Sequence, residues 1–169
     1  LEAFLGSYRA ISIFRGRNFG ALDEQIDLLY GMPELPVAAP DLNGGLNWTL
    51  EPNEMETFPL YGISGFGNMF NNYTWSMQVF GDKLWIGTMD WSYLMGELLE
   101  PAVRSEIEQQ LGTPLPENLA DMPQYFYGAD LFCMTSSREP AFPVCLSGLG
   151  NYSNYGIRNM VADADRLYF

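Results

Sequence analysis

The chain contains no histidine. That absence removes Ser-His-Asp and Cys-His nucleophilic catalysis, His-ligated zinc or iron, and the side chain that most often serves as general base near neutral pH. Basic residues are few: eight Lys and Arg, Lys83 being the sole lysine, stand against 21 acidic residues, for a formal charge of −13. With no basic cluster to neutralise a phosphate backbone, no nucleic-acid partner is expected, and anionic membrane surfaces are poor candidates. No apolar run reaches the roughly 18 residues of a membrane span. Walker and dinucleotide-binding patterns are absent; the G-x-x-G-x-G of residues 62–67 follows no βαβ unit and reads as a turn. Cysteine is limited to Cys133 and Cys145, which lie in apparent consecutive strands. They are candidates for a hairpin disulfide, or for two buried thiols behaving as small hydrophobes.

What is present is apolar and patterned. Hydrophobic residues make up 47% of the 169 and aromatics 15%, enough for a core of ordinary size. Residues 64–86, SGFGNMFNNYTWSMQVFGDKLWI, align without a gap with residues 147–169, SGLGNYSNYGIRNMVADADRLYF, at a constant offset of 83. Eight of the 23 pairs are identical, including Gly65/Gly148, Gly67/Gly150, Asn68/Asn151, Asn71/Asn154, Met77/Met160 and Leu84/Leu167. Chance would give roughly one or two, so the segments read as copies of a repeat. The five residues 3–7, AFLGS, match LWIGT at 84–88 as a weaker third copy.

Along the chain, residues 10–14 read as a short strand and 21–30 as a short helix with Leu22, Ile26, Leu29 and Tyr30 on one face. The three prolines of 32–40 suggest an extended loop, and DLNGG at 41–45 a turn. Asp41 and Asn43 could ligate Ca²⁺ through hard oxygens, but the full loop pattern of such sites is missing and turn chemistry is the better explanation. No other cofactor is expected. Residues 46–50 and 57–61 read as strands, and 73–80 with 83–88 as a hairpin about Gly81-Asp82 that aligns Trp75, Met77 and Val79 on one face. A helix over 101–111, started by Pro101 and closed by Gly112, carries Leu99, Val103, Ile107 and Leu111 at spacing four, with Arg104/Glu108 as an i,i+4 pair. Strands follow at 129–134 and 142–146. The repeat phase divides the chain into residues 1–86 and 87–169, the second with a helical insertion at 97–112.

The strands NYTWSMQVFGDKLWIGT at 72–88 and NYGIRNMVADADRLYF at 154–169, with GADLFCM at 128–134, resemble the blades of a loosely defined group of secreted, largely uncharacterised bacterial β-propeller-like repeat proteins. The resemblance implies an all-β, propeller-type repeat fragment of about two four-stranded blades with short helical insertions, exported from the cytoplasm. WD and kelch signatures are absent, and no catalytic residue carries over. Two blades do not close a ring, since propellers use about four to eight. The expectation is therefore an excerpt of a longer polypeptide, or one piece of an assembly whose partners are further blades or other subunits.

Asn68, Asn71, Asn151 and Asn154 recur at fixed positions and are candidates for ligand binding or for turn capping. Trp75, Asp90, Trp91 and Arg158 join them as candidate binding residues. An enzyme without histidine would need paired carboxylates, as glycoside hydrolysis does. Asp90, Asp130 and Glu97 are the candidates, with Trp75 and Trp91 as stacking surfaces. The expected function is a non-catalytic binding or scaffolding component; the alternative is a secreted, carboxylate-dependent, glycosidase-like hydrolase.

Overall fold

The computed structural model describes residues 7–94, 100–112, 114 and 127–169. The chain is all-β in class, ten strands and one α-helix being defined among those residues. It forms two compact units that divide between Met69 and Phe70. The division falls ahead of the hairpin at 71–90, whereas the repeat phase at 86/87 runs through the second strand of that hairpin. The reason is hydrogen bonding: that hairpin continues into one antiparallel sheet with strands from the 131–145 region.

In the first unit, β1 (Ile13–Arg17) pairs antiparallel with β2 (Gln25–Tyr30). Arg15 faces Asp27 across the pair and donates to its carboxylate from Nε at 2.9 Å. The Asp27 carboxylate, more than offsetting partial desolvation, holds the Arg15 guanidinium pKa above its usual value. The helix expected at 21–30 is thus replaced by a turn and a strand. Ala21 N–H donates to Asn18 O and Glu24 N–H to Ala21 O, Asn18 has φ 55° and Gly20 φ 77°, and of the expected stripe Leu22 and Ile26 are exposed while Leu29 and Tyr30 are buried as part of β2. The expected loop at 32–40 is instead β3 (Glu34–Pro40), paired residue for residue with β4 (Leu46–Pro52). Pro36 and Pro40 fit because this two-stranded ribbon leaves one edge of β3 unpaired. The turn at 41–45 is formed as expected, with the Asp41 Oδ1 accepting from the N–H groups of Asn43 and Gly45, both at 2.7 Å. Residues 57–61 make no strand; they run beside β2, Leu60 and Tyr61 donating their N–H groups to Leu28 O and Leu29 O.

The second unit is a four-stranded meander in the order β5 (Asn71–Phe80), β6 (Lys83–Asp90), β7 (Leu131–Met134), β8 (Phe142–Cys145), followed by the short pair β9 (Val161–Ala162) and β10 (Leu167–Tyr168). Gly81 and Asp82, at φ 58° and 57°, form the two-residue turn expected between β5 and β6. Helix α1 (Pro101–Leu111) lies in the β6–β7 connection, with Gly112 in left-handed conformation at its end and the Arg104–Glu108 ion pair at 3.0 Å. Leu99, and residues 97–99 of the expected insertion, lie outside the described residues. Ala129, Leu131 and Ile157 form the buried core, with Trp85, Cys145 and Met160 packed against it. On the expected Trp75-Met77-Val79 face, Met77 and Val79 are exposed, and a register shift between Thr74 and Ser76 breaks the alternation.

The two aligned segments share local geometry. Gly65-Phe66-Gly67 has φ values of 68°, 58° and 90°; Gly148-Leu149-Gly150 has 59°, 61° and 85°. Each triplet is a single left-handed turn, closed by the following Asn: Asn68 N–H to Gly65 O at 3.1 Å, Asn151 N–H to Gly148 O at 3.3 Å. Two glycines around one apolar residue are what such a turn demands, because L residues resist positive φ. Downstream, Gln78↔Trp85 and Val79↔Leu84 in β5–β6 correspond at the same offset to Val161↔Tyr168 and Ala162↔Leu167 in β9–β10. Upstream, Gly65 N–H donates to Ile11 O and Gly148 N–H to Ala129 O, two residues before β1 and β7 respectively. Both following hairpins shift register after the first pair, Ile13↔Tyr30 in one and Leu131↔Cys145 in the other.

Candidate functional site

Asp90 and Asp130, the only two of the proposed catalytic carboxylates that fall within the described residues, come together in the interior of the second unit with Asn71, Thr88 and Ser92. All five are at most 1% exposed. The sheet brings them there: Thr88 and Asp90 sit near the end of β6, Asn71 opens β5 opposite Asp90, and Asp130 immediately precedes β7. Asn71 Nδ2 donates to Asp130 Oδ2 at 2.7 Å. The Asp130 main chain is bound on both sides by Thr88: its N–H donates to Thr88 Oγ1 at 2.9 Å, and its carbonyl accepts from Thr88 N–H at 3.0 Å. Asp90 Oδ1 accepts from the Ser92 N–H at 2.6 Å and from the Ser92 hydroxyl, whose oxygen accepts in turn from the Gly128 N–H at 3.2 Å. The Asp90 N–H reaches Tyr155 O at 2.9 Å.

This is a polar core that ties strands β5 and β6, the approach to β7 and the 154–157 segment to one another. A glycosidic bond must lie between its two carboxyl groups with room for sugar or water. Side chains without exposed surface offer no such access. Sequence reasoning named Asn71, Asp90 and Asp130 but missed Thr88 and Ser92. The signal was the burial side of β6, on which Ile86, Thr88 and Asp90 alternate.

Trp75 lies at the edge of a second group. Its ring meets Tyr155 edge-on at 5.7 Å, Tyr155 meets Tyr93 at 5.5 Å, and the Arg158 guanidinium stands 5.8 Å above the Trp75 ring. Such a cation–π contact contributes about 0.5–1 kcal/mol at an exposed site. The structure thus pairs two sequence candidates, Trp75 and Arg158, while Trp91 is exposed and makes no ring contact with this group among the described residues. Glu97 lies outside the described residues.

The recurring asparagines take different roles. Asn68 and Asn151 close the left-handed turns, and Asn151 Oδ1 also accepts from the Ser153 N–H at 3.1 Å. Asn154 donates from Nδ2 to Gly148 O at 3.2 Å, whereas its counterpart Asn71 points to Asp130. No group of three potential metal ligands occurs among the described residues. Asp41 works as a turn cap, its Oδ1 accepting from the Asn43 and Gly45 N–H groups.

The cysteines correct one expectation. Both thiols are free, and the register sets Cys133 opposite Phe142 and Cys145 opposite Leu131, so they are not a cross-strand pair. Burial opposes ionisation of Cys145, but hydrogen bonds from the Ser147 side chain and from the backbone of Ser147, Leu149 and Gly150 lower its thiol pKa below the ordinary value. A depressed pKa contributes stability that is complete above the unfolded-state value and is lost as pH falls through the folded-state value. Iodoacetamide is therefore expected to label Cys145 ahead of buried Cys133, with a half-maximal pH below that of Cys145 in urea. Peptide mass mapping against pH checks this; equal midpoints in folded and unfolded protein would refute it.

Compared with known protein families, curated proteins and solved structures, the chain matches none.

Proposed function

We propose that this protein is a non-catalytic binding or scaffolding component of propeller type. The observation that carries the reading is the recurrence of one module: a hairpin with the same early register shift, a left-handed Gly-apolar-Gly turn closed by Asn, and a hairpin of the same register. Repeated antiparallel units of this kind bury their faces against neighbours. Exposed apolar residues on the sheet strands, Phe142 and Val144 on β8, Met77 and Val79 on β5, fit surfaces that further blades or other subunits cover. The resemblance to secreted propeller-like proteins carries an extracytoplasmic location with it. The hydrolase alternative draws no support from the enclosed Asp90 and Asp130.

The native protein, purified under non-denaturing conditions and viewed by electron microscopy, tests the reading. Ring-shaped particles with radially arranged blades are expected, with no turnover of aryl glycosides. Particles without a ring, or hydrolysis abolished by Asp90→Asn in a protein that still folds, would overturn it.

A further inference from the structure

The β3–β4 ribbon is not required by the module that contains it. In the second unit the chain passes from Cys145 at the end of β8 to Gly148 of the left-handed turn through two residues; in the first, Tyr30 and Gly65 are separated by 34, most of them in this ribbon and its approach. Pairing without a register shift puts Pro36 opposite Leu50, Ala38 opposite Trp48, and Pro40 opposite Leu46, so these six residues share one face. The face is open and apolar except for Glu34, which stands opposite Pro52 at its end: Leu50 is 67% exposed and Leu46 49%. The other face is mixed, setting Leu35, Val37 and Ala39 of β3 opposite Glu51, Thr49 and Asn47 of β4. A two-stranded ribbon alone is marginal in water, yet this one is held firmly at its base. The largely buried Asn53 donates from Nδ2 to Met32 O and Thr57 O and accepts at Oδ1 from Met55 and Thr57 N–H groups, while Arg9 donates to Pro36 O at 2.8 Å.

Charge selects the occupant. Residues 31–63 hold five acids, Glu34, Asp41, Glu51, Glu54 and Glu56, and no Lys or Arg. A second copy of a chain with net charge −13 would set acid against acid, and an anionic lipid surface would be repelled too. We infer that the Leu46–Trp48–Leu50 face is a docking surface for a basic amphipathic segment of a different protein, apolar on one side and flanked by Lys or Arg. This surface stands on the ribbon alone and does not depend on ring closure.

The full chain is titrated with two synthetic probes, a peptide alternating Leu with Lys and its counterpart alternating Leu with Glu. Binding is read calorimetrically and by Trp48 emission, assigned with Trp48→Phe. The Leu/Lys peptide is expected to bind, with a loss of about tenfold or more in affinity for the double variant Leu46→Ser/Leu50→Ser, which keeps every charge. Unchanged affinity in that variant would reduce the effect to general attraction by an acidic protein and overturn the inference, as would equal binding of the Leu/Glu peptide. Two further results would overturn it. One is a dimer, seen by light scattering of the protein alone, that the double variant dissolves. The other is a fall of several degrees in the variant's melting temperature, which would mean that the face is covered within the protein itself.

Discussion

Replacing Asp130 by Ala lowers the unfolding free energy by about 3 kcal/mol, because it strips the Asn71 amide of its acceptor inside the sheet and leaves a cavity beside Thr88. For a chain of this size that corresponds to a melting temperature roughly 10 °C lower. Asn71→Ala costs a comparable amount, since the Asp130 carboxylate loses a donor at 2.7 Å. The double variant is expected to cost less than the two singles together by about 1–2 kcal/mol, as residues in one hydrogen-bond network do. Urea titrations of the four proteins of the cycle measure this. A simple sum would mean that the Asn71–Asp130 bond is not a coupled element. The result also separates scaffold from hydrolase: a catalytic Asp130 would be replaceable with loss of turnover and little loss of stability.

Gly128→Ala is the other severe substitution, at about 4 kcal/mol. Gly128 has φ +98°, and a Cβ built there would stand 2.9 Å from the Gly148 Cα and 3.0 Å from Tyr152 O. Both obstacles are backbone and cannot swing aside. Moving them would disturb the left-handed turn and the Gly128 N–H bond to Ser92 that anchors the polar core. Gly44→Ala separates the two causes. Gly44 has a similar φ of +82° with nothing within 4 Å of the added methyl, so it bears the backbone cost alone, about 1 kcal/mol. If thermal unfolding shows the two variants equally destabilised, close packing at Gly128 contributes nothing.

Local patterns were legible where a single interaction dictated them. Gly81-Asp82 announced a two-residue turn because both positions need positive φ. Pro101, the Arg104/Glu108 pair and Gly112 announced α1, since start, side-chain pairing and stop are all encoded within one short window. Residues 21–30 misled for the converse reason. Leu22, Ile26 and Leu29 have helical spacing, but Gln25 to Tyr30 form β2 because β1 lies alongside and supplies a ladder and an Arg15–Asp27 pair. Strand β3 at 34–40 was hidden by its prolines, which exclude a central strand and are tolerated in a two-stranded one, while the turn and β4 that complete the ribbon were legible.

The amino-acid sequence by itself determined the β class, the repeated Gly-apolar-Gly-Asn turns and the hairpins after them. Backbone sterics and short-range hydrogen bonds suffice for these, and they depend on neighbours in the chain. Tertiary structure alone decided the meaning of the polar residues. Asp90, Asp130 and Asn71 could be read as surface groups, candidate site residues or turn caps until β5, β6 and β7 aligned them in one buried cluster with Thr88 and Ser92. Burial and partners for such groups come from segments up to 59 residues apart, as Asn71 and Asp130 are, and no local pattern encodes a contact of that range.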